Sequence, residues 1–132
     1  MREHKLEIRV SYADTDQMGV VYYGNYLTWF ERGRTELLRE SGLAYKDMEK
    51  QDVYLPVVEA SCAYKAPACY DDLIIIKTIV GKIGRSSISF SYEIYRKDGN
   101  KLLATGETRH AFINRERAIV PAPEEVSKRL TE

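Results

Sequence analysis

The chain has 132 residues, with 20 basic and 20 acidic side chains and a formal net charge of zero, so no electrostatic footprint for nucleic acid or an anionic membrane surface stands out. The opening residues, MREHKLEIRV, lack the apolar run of a signal peptide, and no apolar stretch approaches the ~20 residues of a membrane span, so a single cytoplasmic domain over residues 1–132 is expected. Two cysteines, Cys62 and Cys69, and two histidines supply neither a disulfide framework nor a tightly spaced zinc set, and free buried thiols are expected.

Residues 5–12 alternate Leu6, Ile8, Val10 and Tyr12 with Lys5, Glu7, Arg9 and Ser11, which predicts a half-buried strand. The connection over 13–24 has no regular pattern, and its length and apolar content point to function rather than disorder. From Asn25 to Ser41, Tyr26, Phe30, Gly33 and Leu37 recur at helical spacing, with charges on most of the opposite side. Gly24 and Asn25 mark the start of this helix and Ser41-Gly42 its stop. Gly33 costs about 1 kcal/mol of helix propensity relative to Ala, which makes sense if the helix backbone lies close against a sheet. Glu31 and Arg34 read as a solvated or interface pair on the helix flank.

Strands are predicted over 53–65, 72–84, 86–97 and 101–114. Pro56 cannot donate to a ladder, which places the first of these at a sheet edge or a bulge. In the third, Ile88, Phe90, Tyr92 and Ile94 alternate with Ser87, Ser89, Ser91 and Glu93. Asp98-Gly99 signals a hairpin. Pro121 and Pro123 end regular structure before a short helical turn in EEVSKRL. Strands joined this closely are antiparallel, so the class is α+β, with one helix on one face of a five-stranded sheet.

Asp14 and Asp16 reach the helix N-terminus, where free N–H groups and the dipole favour negative charge and can hold an oxyanion. Both acids are also turn formers that bond local backbone. An aspartyl-phosphatase arrangement is excluded, because Gln17 and Met18 follow the second acid and no parallel α/β pattern exists. His4 and His110 lack the nucleophile elbow of a Ser-His-Asp hydrolase and read as structural.

The motif Tyr12-x-Asp14-Thr15-Asp16-x-x-Gly19-Val20-Val21-Tyr22, with Asn25-Tyr26 and Phe30-Glu31-x-x-Arg34, resembles the para-hydroxybenzoyl-CoA thioesterase family of the hotdog fold, notably its bacterial short-chain acyl-CoA thioesterase branch. The likeness extends to Tyr64-Lys65-Ala66-Pro67-Ala68, Asp71-Asp72-Leu73 and Gly106-x-x-x-His110-x-Phe112-Ile113. It implies a hotdog, in which the five-stranded antiparallel sheet wraps around one long central helix. It also implies hydrolysis of the thioester of a short-chain or aromatic acyl-CoA. The family's functional carboxylate matches Asp16, as nucleophile or general base, and its oxyanion donor matches the backbone N–H of Tyr23. Asp14 is then a loop-shaping residue. Some short-chain members carry His where this chain has Tyr23, whereas the hydroxybenzoyl branch carries Tyr.

No metal and no cofactor are expected, coenzyme A being part of the substrate. Lys82, Arg85 and Ser86 in the hairpin GKIGRSS are the candidates for its phosphates. The expected partner is a second copy, in a homodimer that assembles to a tetramer. The alternative is a non-catalytic hotdog protein that binds an acyl-CoA or acyl-carrier partner. A hotdog dehydratase is remote, because no histidine lies within residues 5–109.

Overall fold

A computed structural model describes residues 2–131. The first strand, β1 (Glu3–Arg9), buries Ile8 and leads to the buried Val10. It stops short of the expected residue 12. The Ser11 N–H and hydroxyl both donate to Asp14 Oδ2, at 2.9 and 3.0 Å, and residues Tyr12–Asp14 form one 3-10 turn. That local bonding competes successfully with the ladder, and Tyr12 ends 78% exposed rather than inward.

The long helix, α1 (Asn25–Glu40), and the strands β2 (Val57–Tyr64), β3 (Leu73–Ile83), β4 (Ser87–Arg96) and β5 (Lys101–Ala111) follow the expected order. The sheet is antiparallel throughout, in the order β1-β3-β4-β5-β2. Two short helices, α2 (Tyr45–Lys50) and α3 (Glu124–Leu130), close one end of the core with Met48, Val126 and Leu130. The second of these is the expected helical turn in EEVSKRL. The first was not expected, because six residues with one buried side chain leave no period to read.

On the concave face, Ile74, Ile76, Thr78 and Val80 of β3 and Ile88, Phe90, Tyr92 and Ile94 of β4 are buried. Across them lies α1, burying Tyr26, Trp29, Phe30, Gly33 and Leu37. The Phe30 ring stacks on Tyr92 at 4.3 Å, nearly parallel. At Gly33 a Cβ would sit 2.3 Å from Thr78 Oγ1 and 2.8 Å from Ile76 Cγ2, so only glycine permits this approach. Gly33→Leu is therefore expected to lower unfolding stability by about 1–3 kcal/mol, although Leu is the better helix former. A thermal melt that is unchanged or raised contradicts it.

The helix crosses the sheet from one edge to the other. Near its start the Tyr26 ring packs edge-on against Tyr64 of β2 at 5.0 Å. At its end Glu40 meets His4 of β1 at 3.1 Å. The N-terminus of α1 thus lies at the edge strand that Pro56 foretold. That strand is exposed on both faces: Val57, Val58 and Tyr64 each keep close to half of their surface in solvent.

Candidate active site

The connection between β1 and α1 is more ordered than its sequence suggests. Thr15 bridges Val21, the Asp16 N–H donates to the Val20 carbonyl at 2.9 Å, and the Gly19 N–H donates to the Asp16 carbonyl at 3.0 Å. These bonds close a small hairpin in which Gly19, at φ +79, takes the left-handed position that such a turn requires. The hairpin is anchored to the connection between β2 and β3 through the Val21 N–H, which donates to the Ala68 carbonyl at 2.8 Å. The Asp14 carbonyl joins it to the helix start by accepting from the Tyr22 N–H and from Asn25 Nδ2, both at 2.9 Å. Asp14 therefore shapes the loop with both its side chain and its carbonyl.

Asp16 is half-buried. Its Oδ1 accepts from the Met18 N–H at 2.8 Å, an Asx turn that fixes the carboxylate plane. Its Oδ2 has no partner among the described residues. The segment thus presents one held and one free carboxylate oxygen.

A few residues on, the backbone N–H groups of Tyr23 and Gly24 donate to nothing among the described residues. Their peptide planes are nonetheless fixed from the other side. The Tyr22 carbonyl accepts from the Asn25 N–H at 2.9 Å, which sets the plane carrying the Tyr23 N–H. The Tyr23 carbonyl accepts from the Tyr64 hydroxyl at 2.8 Å and the Tyr26 N–H at 3.3 Å, which sets the plane carrying the Gly24 N–H. Two oriented donors therefore stand at the positive end of a 16-residue helix, the arrangement that stabilises an oxyanion. The Tyr23 ring itself is 63% exposed. Beside it lies a hollow of about 340 Å³ walled by Val20, Tyr26, Tyr64 and Pro67. Tyr64 and Gly24 are functional candidates that sequence reasoning missed. Tyr64 stands in the motif that carries the resemblance, but its 41-residue separation from Tyr23 hides the contact.

Lys82, Arg85 and Ser86 lie elsewhere. β3 begins beside this loop, where the Cys69 backbone bridges Val20, and runs away from it for 11 residues, about 33 Å at strand rise. The hairpin at its far end rests on the C-terminal segment, the Ser86 carbonyl accepting from the Phe112 N–H at 3.0 Å and the Arg85 carbonyl from the Ala122 N–H at 2.8 Å. A single protomer therefore does not bring these residues to Asp16 and Tyr23. The reason is topological: two sequence segments flanking one long strand sit at its opposite ends.

Behind the helix lies a buried polar chain. An Arg34 terminal nitrogen donates to the Tyr92 hydroxyl at 3.5 Å, Tyr92 and Thr108 share a hydrogen bond of 2.6 Å, Thr108 Oγ1 lies 2.9 Å from His110 Nε2, and His110 Nδ1 lies 3.1 Å from the Leu55 carbonyl. Read in that direction each hydroxyl accepts once and donates once, ending with a neutral imidazole that donates from Nδ1. His110 is held within this polar chain, and His4 meets Glu40 of α1. Of the pair expected on the helix flank as solvated or at an interface, Glu31 is exposed and Arg34 is buried within the protomer.

Burial, with the Arg34 charge adding to it against the bond to Leu55, pulls His110 down from the ordinary imidazole value to about 4. Its neutral form is the folded form, so this contribution to stability is whole above the unfolded value of about 6.5 and is lost as pH falls toward 4. Between pH 7 and 4.5, His110→Gln, which can still donate and accept, is expected to lose about 2–3 kcal/mol less unfolding free energy than the native chain. Equal losses in denaturant titrations at the two pH values contradict this.

Comparison with known proteins matches the model of the Thioesterase-like superfamily over residues 10–130. The YneP protein of Bacillus subtilis is 39% identical over 116 residues, 88% of this chain and 83% of its own length. The acyl-CoA thioester hydrolase YbgC of Escherichia coli is 35% identical over 100 residues, 76% of this chain and 74% of its own. The crystal structure of a DHNA-CoA thioesterase from Staphylococcus aureus superposes with a TM-score of 0.87 at 36% identity, covering 97% of this chain and 91% of that one.

Proposed function

The chain belongs to the thioesterase-like superfamily, and from that membership we propose that it hydrolyses acyl-CoA thioesters at the loop carrying Asp16 and Tyr23. The observation that carries this reading is the pairing on one braced segment of a carboxylate with a free oxygen and a helix N-terminus with free, oriented N–H groups. With the thioester carbonyl oxygen on the Tyr23 N–H, the charge that develops on that oxygen is met by a fixed dipole. The Asp16 carboxylate then either attacks the carbonyl carbon, giving an anhydride and coenzyme A thiolate, or takes a proton from the water that attacks it. On the first route a water then hydrolyses the anhydride, and on the second the water's attack expels coenzyme A thiolate. On both the thiolate takes up a proton, and the products are free acid, coenzyme A and the regenerated Asp16 carboxylate. Aromatic acyl groups are suggested by the DHNA-CoA enzyme, and short-chain ones by the resemblance of the motif around Asp16 alone. A panel of both classes, read by release of free thiol, tests the activity; no hydrolysis of any member rejects it.

The same reading includes a homodimer joined through β2, with tetramers formed from it, in the cytoplasm. An edge strand with unpaired backbone and exposed Val57 and Val58 favours pairing with its own copy. Antiparallel pairing would set the Val57 end of one protomer beside the Tyr64 end of the other. Lys82 and Arg85 of the partner subunit would then lie at the same end as Asp16, which gives the basic hairpin a role that one protomer denies it. Sedimentation is expected to find a dimer or larger species at micromolar concentration. A fully active monomer contradicts that expectation.

A further inference from the structure

Arg34 carries a largely buried charge that has no counter-ion among the described residues. It is 8% exposed, and its guanidinium stays protonated at any working pH. No carboxylate forms an ion pair with it among the described residues. Its bonds go to neutral hydroxyls, Nε to Tyr45 at 3.2 Å and one terminal nitrogen to Tyr92 at 3.5 Å, and its second terminal nitrogen, without a partner among the described residues, reaches the solvent of a cleft. Buried cations are ordinarily paired, because desolvation without a compensating anion is strongly unfavourable. Arg34 also lines a cleft of about 800 Å³ between α1, α2 and the segments 54–56 and 113–117, with Arg115 and Arg117 on its walls. Glu31 and Glu49 line it too, but both are exposed, where solvent screens them.

We propose that Arg34 and Tyr45 form a subsite for an oxyanion, a carboxylate or phosphate group of the substrate. The proposal rests on the thioesterase reading above and deepens it. The cleft opens beside Pro56, at the Val57 end of β2, so antiparallel pairing of β2 would set it near Tyr23 of the partner subunit. A guanidinium has the planar donor fork that a carboxylate or phosphate group accepts in pairs. The two sources are a terminal carboxylate on the acyl group and the 3′-phosphate of coenzyme A.

The first arm is a thermal melt of the native chain and of Arg34→Met and Arg34→Lys, with glutarate or inorganic phosphate titrated in. A saturable rise of about 2–4 °C is expected for the native chain, part of it for Arg34→Lys and none for Arg34→Met. Without anion, Arg34→Met is expected to melt no lower than the native chain, since it loses a charge that nothing pairs. Equal shifts in all three overturn the proposal. So does an Arg34→Met chain that melts lower and dissociates, because the charge is then paired by an acid of the second copy.

The second arm compares glutaryl-CoA with valeryl-CoA, which share a chain length. If the acyl carboxylate is the ligand, Arg34→Met lowers the ratio of their kcat/KM values at least about tenfold. If a coenzyme A phosphate is the ligand, the ratio holds, while the advantage of coenzyme A over dephospho-coenzyme A as an inhibitor is lost. A melting shift with neither change means an adventitious ion only, and overturns the subsite. Absence of hydrolysis with the melting shift intact rejects the thioesterase reading but not the anion site.

Discussion

Asp16→Asn is expected to lower acyl-CoA turnover at least about 100-fold and to leave binding largely in place. Asn keeps the oxygen that accepts from the Met18 N–H, so the turn over residues 16–19 survives and the melting temperature holds. What changes is the other oxygen, which has no partner among the described residues and becomes an amide nitrogen that neither attacks a carbonyl nor takes a proton. Turnover at saturating acyl-CoA, with binding measured by calorimetry on the same preparation, separates the two effects. Retention of most of the activity removes the proposed mechanism. A loss confined to binding makes Asp16 a substrate anchor instead.

Deleting the N–H of residue 23 is expected to have a comparable effect. Tyr23→Pro removes the donor and is expected to lower kcat/KM about 100-fold, close to 3 kcal/mol of transition-state stabilisation. Tyr23→Phe keeps the N–H and removes only the phenol of a ring that is largely in solvent. It is expected to stay within about tenfold of the native value, or about 1.4 kcal/mol. The melting temperature of each variant reports whether α1 still begins where it should. If Tyr23→Phe is as damaging as Asp16→Asn, the phenol donates a proton and the backbone assignment is wrong.

Where the readable pattern is local, the expected elements match the structure. The alternation from Ile88 to Ile94 put each of those residues in the core, and the period from Tyr26 to Leu37 located α1 to within a residue of its C-terminal end. Pro56 marked the edge because a missing N–H is a property of one residue. Failures occurred where a short-range bond outweighed the period, as at Ser11 and Asp14, or where an element was too short to have one, as with α2. Arg34 was misplaced because an arginine beside charged neighbours resembles a solvated flank, and only the side chains it packs among reveal that it is buried.

By itself the sequence determined the α+β class, the strand order along the chain, the long helix with a glycine pressed to the sheet, and the loop that carries Asp16 to that helix. All of these follow from spacing within a dozen residues, the range over which side-chain period and turn chemistry act. Tertiary structure alone decided that Tyr64 would orient the peptide after Tyr23, that the basic hairpin would stand at the far end of β3 from Asp16, and that a guanidinium would face a cleft with no ion-pair partner among the described residues. Each of these depends on which strand lies next to which and in what register, and that is settled by packing the apolar faces together rather than by any local run of residues.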